Sequence, residues 1–122
     1  MGEPGRRQRT GKLGEDTAVQ YLQGNGYRIL ERNFRTRYGE VDIIAQKDGC
    51  LVFVEVRAKA SREFGLPEES LTRAKKEHLV SAAEAYLQEL GLQDIPWRID
   101  LVSVDVGPLG KVNDVRHFEN AV

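Results

Sequence analysis

Cysteine is almost absent from this chain, because Cys50 is the single one among 122 residues. One thiol cannot form an internal disulfide, and it cannot supply a zinc or iron–sulfur site that needs several cysteines. The two histidines, His78 and His117, show no ligand spacing with each other or with Cys50, so we expect neither to be catalytic. This cysteine usage fits a reducing compartment, and we expect a cytoplasmic location.

Long apolar runs are absent too. No segment approaches the ~20 apolar residues that span a bilayer, and residues 1–7 are not followed by the hydrophobic segment of a signal peptide. With four prolines, 40% apolar residues and 30% charged residues, the composition excludes a disordered chain and a membrane protein. We expect one globular domain over 13–122, preceded by a flexible basic arm over 1–12, and no membrane partner.

Two familiar catalytic patterns are missing as well. The turn at 107–110 contains glycine but lacks the lysine and the following helix of a phosphate-binding loop. No histidine stands in a recognisable arrangement with a serine or cysteine nucleophile. Charged residues are therefore the remaining candidates for chemistry.

An excess of charge of one sign is also lacking, because the formal net charge is −1. This balance does not indicate a nucleic-acid binder. The charges are nevertheless segregated, since residues 1–12 and residues 57–76 each carry a net charge of +3. These two segments are either solvated surface or parts of a strip that faces phosphates.

Apolar spacing divides the domain into helices and strands in the order α-β-β-β-α-β-β. Recurrent apolar residues predict a helix over 13–23, which the glycines of 24–26 end, and a second helix over 67–90. Segments rich in β-branched and aromatic residues predict strands over 27–34, 40–45, 51–58, 97–106 and 115–118. The predicted fold class is α/β.

Charged side chains interrupt the most apolar of these strands. Because side chains alternate between the two faces of a strand, one face contains this series: Leu51, Phe53, Glu55, Arg57 and Lys59. That face therefore changes from apolar to charged partway along the strand.

The dipeptide Asp48-Gly49 is a strong hairpin signal between the second and third strands. If these two residues form the turn, Asp42 lies directly opposite Glu55, with Cβ atoms about 4.5–5.5 Å apart. Two carboxylates so close repel each other unless they share a proton or bind a cation, and a hard ion such as Mg²⁺ accepts such ligands. The alternatives are another register, or side chains that splay into solvent.

Three further residues have both a functional and an ordinary interpretation. Glu15 lies on the buried face of the first helix, where it either approaches the two acids or occupies a first-turn position that the helix dipole favours. Lys75 begins the apolar stripe of the second helix, as a phosphate contact or as a side chain that extends to solvent. The same hairpin register places Glu40 opposite Arg57, which would make an ordinary cross-strand ion pair.

Several linked motifs follow one another along the chain: Gly14-Glu15, Gly26-Tyr27, Arg32-Asn33, the string GEVDIIA at 39–45, VFVEV at 52–56, Arg98-Ile99-Asp100 and the tail 117–121. Together they resemble the YraN family of small bacterial proteins, from about residue 11 to the C-terminus. That family is similar to the PD-(D/E)xK nuclease superfamily of restriction endonucleases and Holliday-junction resolvases. The resemblance implies a restriction-endonuclease-like α-β-β-β-α-β core, with a mixed central sheet flanked by helices.

The resemblance also implies an endonuclease that acts on DNA and depends on Mg²⁺, with Mn²⁺ as a substitute. Asp42 and Glu55 match the two acids that hold the metal, and Glu15 matches a supporting glutamate of resolvase-like members. One or two metal ions held in this way activate water for attack on a phosphodiester. Resolvase-like relatives act on branched DNA and suggest a homodimer, since symmetrical cutting of two strands needs two sites.

The sequence departs from the family pattern at Arg57, where the motif has a lysine. An arginine keeps its charge at ordinary pH and stabilises negative charge, but it is a poor general base. In an active enzyme, either Lys59 or Lys75 takes over the role of the motif's amine, and Arg57, Lys59 and Lys75 contact nucleic acid. In the alternative, the site binds nucleic acid or a protein partner without cutting. A third interpretation treats the acids as surface ion pairs of a structural protein.

Overall fold

The computed structural model describes the backbone of residues 6–60 and 71–122, and side chains within 10–59 and 71–122. Its elements follow the predicted order. The helices and strands are α1 (Arg6–Gly24), β1 (Arg28–Thr36), β2 (Gly39–Lys47), β3 (Cys50–Ala60), α2 (Arg73–Glu89), β4 (Trp97–Val106) and β5 (Val112–Phe118). A 3₁₀ turn, Pro108–Gly110, lies between β4 and β5.

The described strands form one five-stranded sheet in the order β1-β2-β3-β4-β5. Neighbouring strands are antiparallel except β3 and β4, which are parallel and between which α2 lies in the chain. The predicted α/β class, with a mixed sheet and an α-β-β-β-α-β core, is confirmed. No helix in the described ranges is long and apolar enough to cross a bilayer.

The two faces of the sheet are covered by different helices. On one face, Ala18 and Leu22 of α1 are fully buried in the same cluster as Val54 of β3. On the other face, Leu79 of α2 is buried in the cluster that contains Phe53. Because Phe53 and Val54 are neighbours, alternation along one strand supplies both layers of the core.

Helix α1 begins earlier than predicted. The segment 1–12, expected to be a flexible arm, is helical from Arg6 onward, and residues 1–5 lie outside the described residues. The backbone of α1 comes very close to β3, because a Cβ at Gly14 would overlap the Cβ of Ala58. Gly14 therefore allows α1 to lie directly on the charged half of β3.

Helix α2 begins later than predicted. Thr72 is its N-cap, and the Thr72 hydroxyl accepts a hydrogen bond from the backbone N–H of Lys75 at 3.1 Å. The predicted first residue, Pro67, lies outside the described residues, and the non-helical Leu71 and Thr72 separate that region from α2. This capped start places Lys75 in the first turn of α2.

The β2–β3 hairpin has the predicted turn and register. Asp48 and Gly49 both have positive φ, at 51° and 78°, as a tight two-residue turn of this kind requires. Lys47 pairs with Cys50 across the turn, and the ladder continues in this register to the pair of Ile43 and Val54.

The sheet divides beyond the pair of Ile43 and Val54. Within the described part of the chain, β2 from 39 to 42 pairs with β1 alone, whereas β3 from 55 to 60 pairs with β4 alone. We call this opening the fork: its first arm is the β1–β2 tip, residues 34–42, and its second arm is residues 55–60. At the same level Asn33 of β1 adopts a φ of 55°, which interrupts the regular strand conformation opposite Asp42.

Candidate metal centre at the fork

Asp42 and Glu55 stand at the base of the fork, as the last residue of one arm and the first residue of the other. Their backbones are not a registered pair, since the ladder stops one position earlier. Asp42 instead turns its carboxylate toward β3, where Oδ2 accepts a hydrogen bond from the backbone N–H of Val56 at 2.8 Å. This side chain takes the place of a backbone carbonyl and joins the two arms at the base of the fork.

Glu55 is deeply buried, with 4% of its surface exposed. The Nζ atom of Lys75, in the first turn of α2, lies 3.1 Å from Glu55 Oε2. Apart from this ion pair, Oε2 accepts no hydrogen bond from any residue that the structure describes. The Lys75 ammonium compensates the charge of Glu55, and the oxygen can still accept a further donor or cation.

The two carboxyl groups interact directly. Burial, and after it the charge and hydrogen bond of Glu55, raise the pKa of Asp42 from its ordinary value of 3.8 to about 7. The Val56 N–H and the Lys75 charge oppose this rise, because both favour the ionised carboxylate. Near neutral pH the metal-free pair therefore retains part of one proton, which a bound cation would displace.

Arg57 lies two residues further along the second arm. Its side chain is partly buried, and its Nε has no hydrogen-bond partner among the residues described. The expected alternative, a cross-strand ion pair with Glu40, is wrong, because the ladder does not reach these positions and Glu40 Oε2 lies 3.6 Å from Nε of Arg35. Arg57 is thus a cation with an unsatisfied N–H two residues beyond Glu55 on the second arm.

The structure distinguishes the two lysines that were candidates for the amine. Lys75 reaches Glu55 from the first turn of α2. Lys59 is partly exposed and lies in register with Asp105 of β4, four positions beyond Glu55 on the same strand. Among the described contacts, Lys75 is the amine that reaches an acid of the pair.

Glu15 does not join the two acids. Its Oε1 accepts hydrogen bonds from Arg32 Nε and Asn33 Nδ2, each at 3.1 Å. Arg32 also forms an ion pair with Asp16 at 2.7 Å, so β1 engages two neighbouring acids of α1. Within residues 6–60 and 71–122, no three histidine, cysteine, aspartate or glutamate side chains are grouped as a metal site. Glu15 is therefore not grouped with Asp42 and Glu55, its carboxylate contacts Arg32 and Asn33, and its role as a supporting ligand stays a prediction.

A family model described as "Uncharacterised protein family UPF0102" matches residues 14–104 of this chain. The chain belongs to this family. It is the YraN family, so the resemblance is confirmed. UPF0102 proteins from Persephonella marina and Symbiobacterium thermophilum are each 45% identical to it, over 91% and 93% of this chain and 90% and 95% of their own. A UPF0102 protein from Roseiflexus castenholzii is 43% identical over 97% of this chain and 96% of its own.

In this member of the YraN family a second buried acid, Asp100, lies on β4 in register with Val54 of β3. Asp100 is fully buried and accepts hydrogen bonds from Arg98 Nε at 3.0 Å and from the backbone N–H of Asn120 at 3.1 Å. The ring of His117 lies 2.7 Å from its other oxygen. Burial would raise the pKa of Asp100, but the His117 and Arg98 hydrogen bonds outweigh it and hold the pKa below 3.8. Asp100 thus ties the C-terminal residues to β4.

Asp100 was not among the predicted site residues, although a signal was present. An acid between the apolar Ile99 and Leu101 of a largely buried strand has to find buried partners. Arg98 is two residues away, but His117 and Asn120 are distant in the chain, so the sequence indicates that Asp100 needs partners without showing which ones it has. Asp100 and Glu55 therefore represent two different outcomes for a buried acid: both oxygens of Asp100 have hydrogen-bond partners, whereas Oε2 of Glu55 has an ion-pair partner but no hydrogen bond.

Proposed function

We propose that this protein is a metal-dependent endonuclease that hydrolyses phosphodiester bonds of DNA, with branched DNA as its substrate. One observation carries the proposal: Glu55 holds a buried carboxylate oxygen without a hydrogen bond beside Asp42, at the base of an open fork. Two crowded acids destabilise a sheet, so their presence where the sheet opens favours a role in binding a cation.

The donor set fits a divalent metal ion. Carboxylate oxygens suit Mg²⁺ and Mn²⁺, and Mg²⁺ sites commonly use one or two carboxylates while water and phosphate oxygens fill the other positions. Asp42 and Glu55 would hold the ion, whereas Glu15 is engaged by β1. The ion, when bound, polarises a phosphate and lowers the pKa of a water.

Three cations of the chain have distinct tasks around the acids. Lys75 holds an ammonium group beside Glu55, so that it supplies the amine which the motif places on β3. Arg57 offers an unsatisfied N–H to a phosphate oxygen that gains negative charge during attack. Lys59 lies further along the same arm and contacts the flanking phosphate backbone.

A second candidate function is a nuclease-fold module that binds nucleic acid or a protein partner without cutting. The replacement of the motif lysine by Arg57 favours this function, because an arginine does not act as a general base. The two candidates differ in one measurable respect. Both bind, but only the enzyme turns over.

The test compares wild type, Glu55→Gln and Glu77→Gln, each purified free of host nucleases. Glu77 is an exposed glutamate of α2 that pairs with Arg73, so its variant removes a carboxylate outside the acid pair. Each protein is titrated with Mn²⁺ by calorimetry and incubated with branched, single-stranded and duplex DNA in Mg²⁺ and in Mn²⁺. We expect metal binding and cleavage by wild type and Glu77→Gln, and loss of both in Glu55→Gln.

Two outcomes would contradict the proposal separately. Intact DNA in every wild-type reaction excludes the enzyme and leaves the binding module. Unchanged metal binding by Glu55→Gln excludes the acid pair as the metal site.

The proposal includes a homodimer on the substrate, because symmetrical cutting of a branched DNA requires two active sites. Sedimentation of the protein with and without a four-way DNA junction measures this directly. A complex of two chains per junction is expected, and a complex of one chain per junction contradicts the dimer.

A further inference from the structure

We infer that the tip of the first arm is a second nucleic-acid contact, at which Tyr38 stacks on an unpaired base and Arg37 binds a neighbouring phosphate. This inference rests on the proposed function, and it narrows the substrate to DNA that has unpaired nucleotides beside the bond that is cut. Four features of the tip support it: its exposed ring, its free cation, its fixed turn and its position on the rim of the acid pair.

The exposed ring is unusual in this protein. Tyr38 is 41% exposed, and it is the one aromatic residue in the described ranges that falls among the exposed residues. Large apolar rings are normally placed in the core, as Phe53 and Tyr86 are here. A ring held in solvent beside cations is the arrangement with which proteins stack unpaired bases, because every base presents a π face.

Arg37 supplies the cation. Its Cζ lies 5.0 Å from the centroid of the Tyr38 ring, and its guanidinium donates a hydrogen bond to the Tyr38 hydroxyl at 2.8 Å. Arg37 is exposed and forms no ion pair with an acid among the described residues. Its remaining donors are therefore available to a phosphate, while the contact orients the ring.

The turn that carries the pair is held by its own hydrogen bonds. The Thr36 hydroxyl donates to the carbonyl of Gly39 at 3.2 Å and accepts from the backbone N–H of Tyr38 at 3.0 Å. Gly39 has a φ of 142°, which a glycine adopts without strain. A fixed turn reduces the entropy that binding has to overcome, so the ring is already positioned when a base arrives.

The tip also lies at the rim of the acid pair. A Cβ built at Gly39 would be 3.6 Å from the Cβ of His78, and His78 stands one helical turn beyond Lys75 on α2. Asp42 follows Tyr38 by four residues, which corresponds to ~13 Å along an extended strand. That length matches a few nucleotides at about 3.4 Å each along a strand, so one strand of DNA spans from the ring to the acids.

The test measures binding without catalysis. Fluorescence anisotropy in EDTA follows the affinity of each variant for a single-stranded oligothymidine and for a duplex of the same length, over a range of salt concentrations. We expect Tyr38→Ala to bind the single strand about tenfold more weakly, the scale of one lost stacking contact, with little change for the duplex. Tyr38→Phe, which keeps the ring, should stay close to wild type.

The arginine has a different signature from the tyrosine. Arg37→Ala should reduce the slope of log affinity against log salt by about 0.7 for the single strand, because one phosphate contact is lost. Tyr38→Ala should leave that slope unchanged. Arg28→Ala is the matched control: Arg28 is also an exposed arginine, but it lies at the opposite end of β1.

Three outcomes would overturn the inference: equal single-strand affinity of wild type and Tyr38→Ala, equal losses on single-stranded and duplex DNA, or wild-type protein that binds no DNA. Failure of the proposed function is a separate result. It appears as absent cleavage with Mg²⁺ and Mn²⁺ while the Tyr38-dependent binding in EDTA persists.

Discussion

Lys75 Nζ lies 3.1 Å from Glu55 Oε2, so the first turn of α2 brings an ammonium group to the buried acid of β3. The motif of the superfamily would place its lysine on β3 itself, at the position that Arg57 occupies. Here the amine and the acid come from different elements, so their ion pair requires that α2 is docked on the sheet.

The first prediction concerns this amine. Lys75→Ala should lower cleavage of branched DNA by about 10²-fold or more, the scale of lost proton-transfer assistance. Lys76→Ala, at the next position of α2, is the matched control and should retain activity. Lys59→Ala decides between the two lysines. If Lys59→Ala lost cleavage activity by about 10²-fold while Lys75→Ala remained active, Lys59 would be the amine.

Arg57→Lys should hold or raise cleavage activity, because it restores the residue of the motif at a position where Nε is unsatisfied. Arg57→Ala should weaken DNA binding and reduce the salt slope by about one phosphate contact. Steady-state cleavage and salt-dependent anisotropy measure these two effects. The protein is a binding module if neither wild type nor Arg57→Lys cleaves DNA while Arg57→Ala weakens DNA binding.

The metal-free protein should lose stability as the pH rises from about 4 to about 7. The pKa of Asp42 is raised from 3.8 to about 7, so between these values the folded state binds a proton that the unfolded state releases. The stabilising contribution is complete below the lower value and is lost as the pH passes the upper one. Thermal unfolding in EDTA should show this loss, with a slope of at most about 1.4 kcal/mol per pH unit.

Asp42→Asn is the control for this pH dependence, because its amide oxygen still accepts from Val56 but cannot ionise. It should flatten the profile and raise the stability at pH 8. Mg²⁺ should stabilise wild type more at pH 8 than at pH 5, since binding requires the ionised pair. A profile of Asp42→Asn as steep as that of wild type would assign the pH dependence to another group.

Asp100→Asn should destabilise the fold by roughly 2–4 kcal/mol, because Arg98 and His117 would lose the carboxylate that they contact in the interior. Urea unfolding at pH 7 measures the change. Asp114→Asn, which removes an exposed partner of Arg116, should change stability by less than about 0.5 kcal/mol. Equal effects of the two variants would show that the Asp100 cluster does not carry stability.

The lowered pKa of Asp100 has its own pH window. The folded state keeps the carboxylate ionised at pH values where the unfolded state is already protonated. This contribution is therefore present above the unfolded value near 4 and is lost as the pH falls through the lower folded value. Acid unfolding of Asp100→Asn should begin from a lower stability and be less steep than that of wild type.

The order of elements, the hairpin turn and its register could be predicted because their signals are local. Asp48 and Gly49 supply the positive φ angles of the turn, and the alternation of β3 shows which residues share a face. The opening of the ladder after Ile43 could not be predicted in this way. It depends on the hydrogen bond that the backbone N–H of Val56 donates to the Asp42 side chain. The presence of an acid in a strand does not show that its side chain replaces a backbone carbonyl as acceptor.

Two features differ from the sequence prediction: the partner of Glu15 and the start of α1. Glu15 was expected at the acid pair, but Arg32, which is distant in sequence, binds it to β1. The early start of α1 at Arg6 has a different reason: arginine, lysine and glutamine favour helix without giving an apolar period, so periodicity alone assigned these residues to an arm.

The parallel pairing of β3 with β4 also sets an order of events during folding. The β1–β2 and β2–β3 hairpins close over a few residues each, whereas β4 has to return across the segment that contains α2. Local contacts form faster than contacts between distant segments. We therefore expect Asp42 and Glu55 to meet while the hairpins form and Lys75 to reach Glu55 only when α2 docks, so that the two acids lie together before the ammonium group arrives.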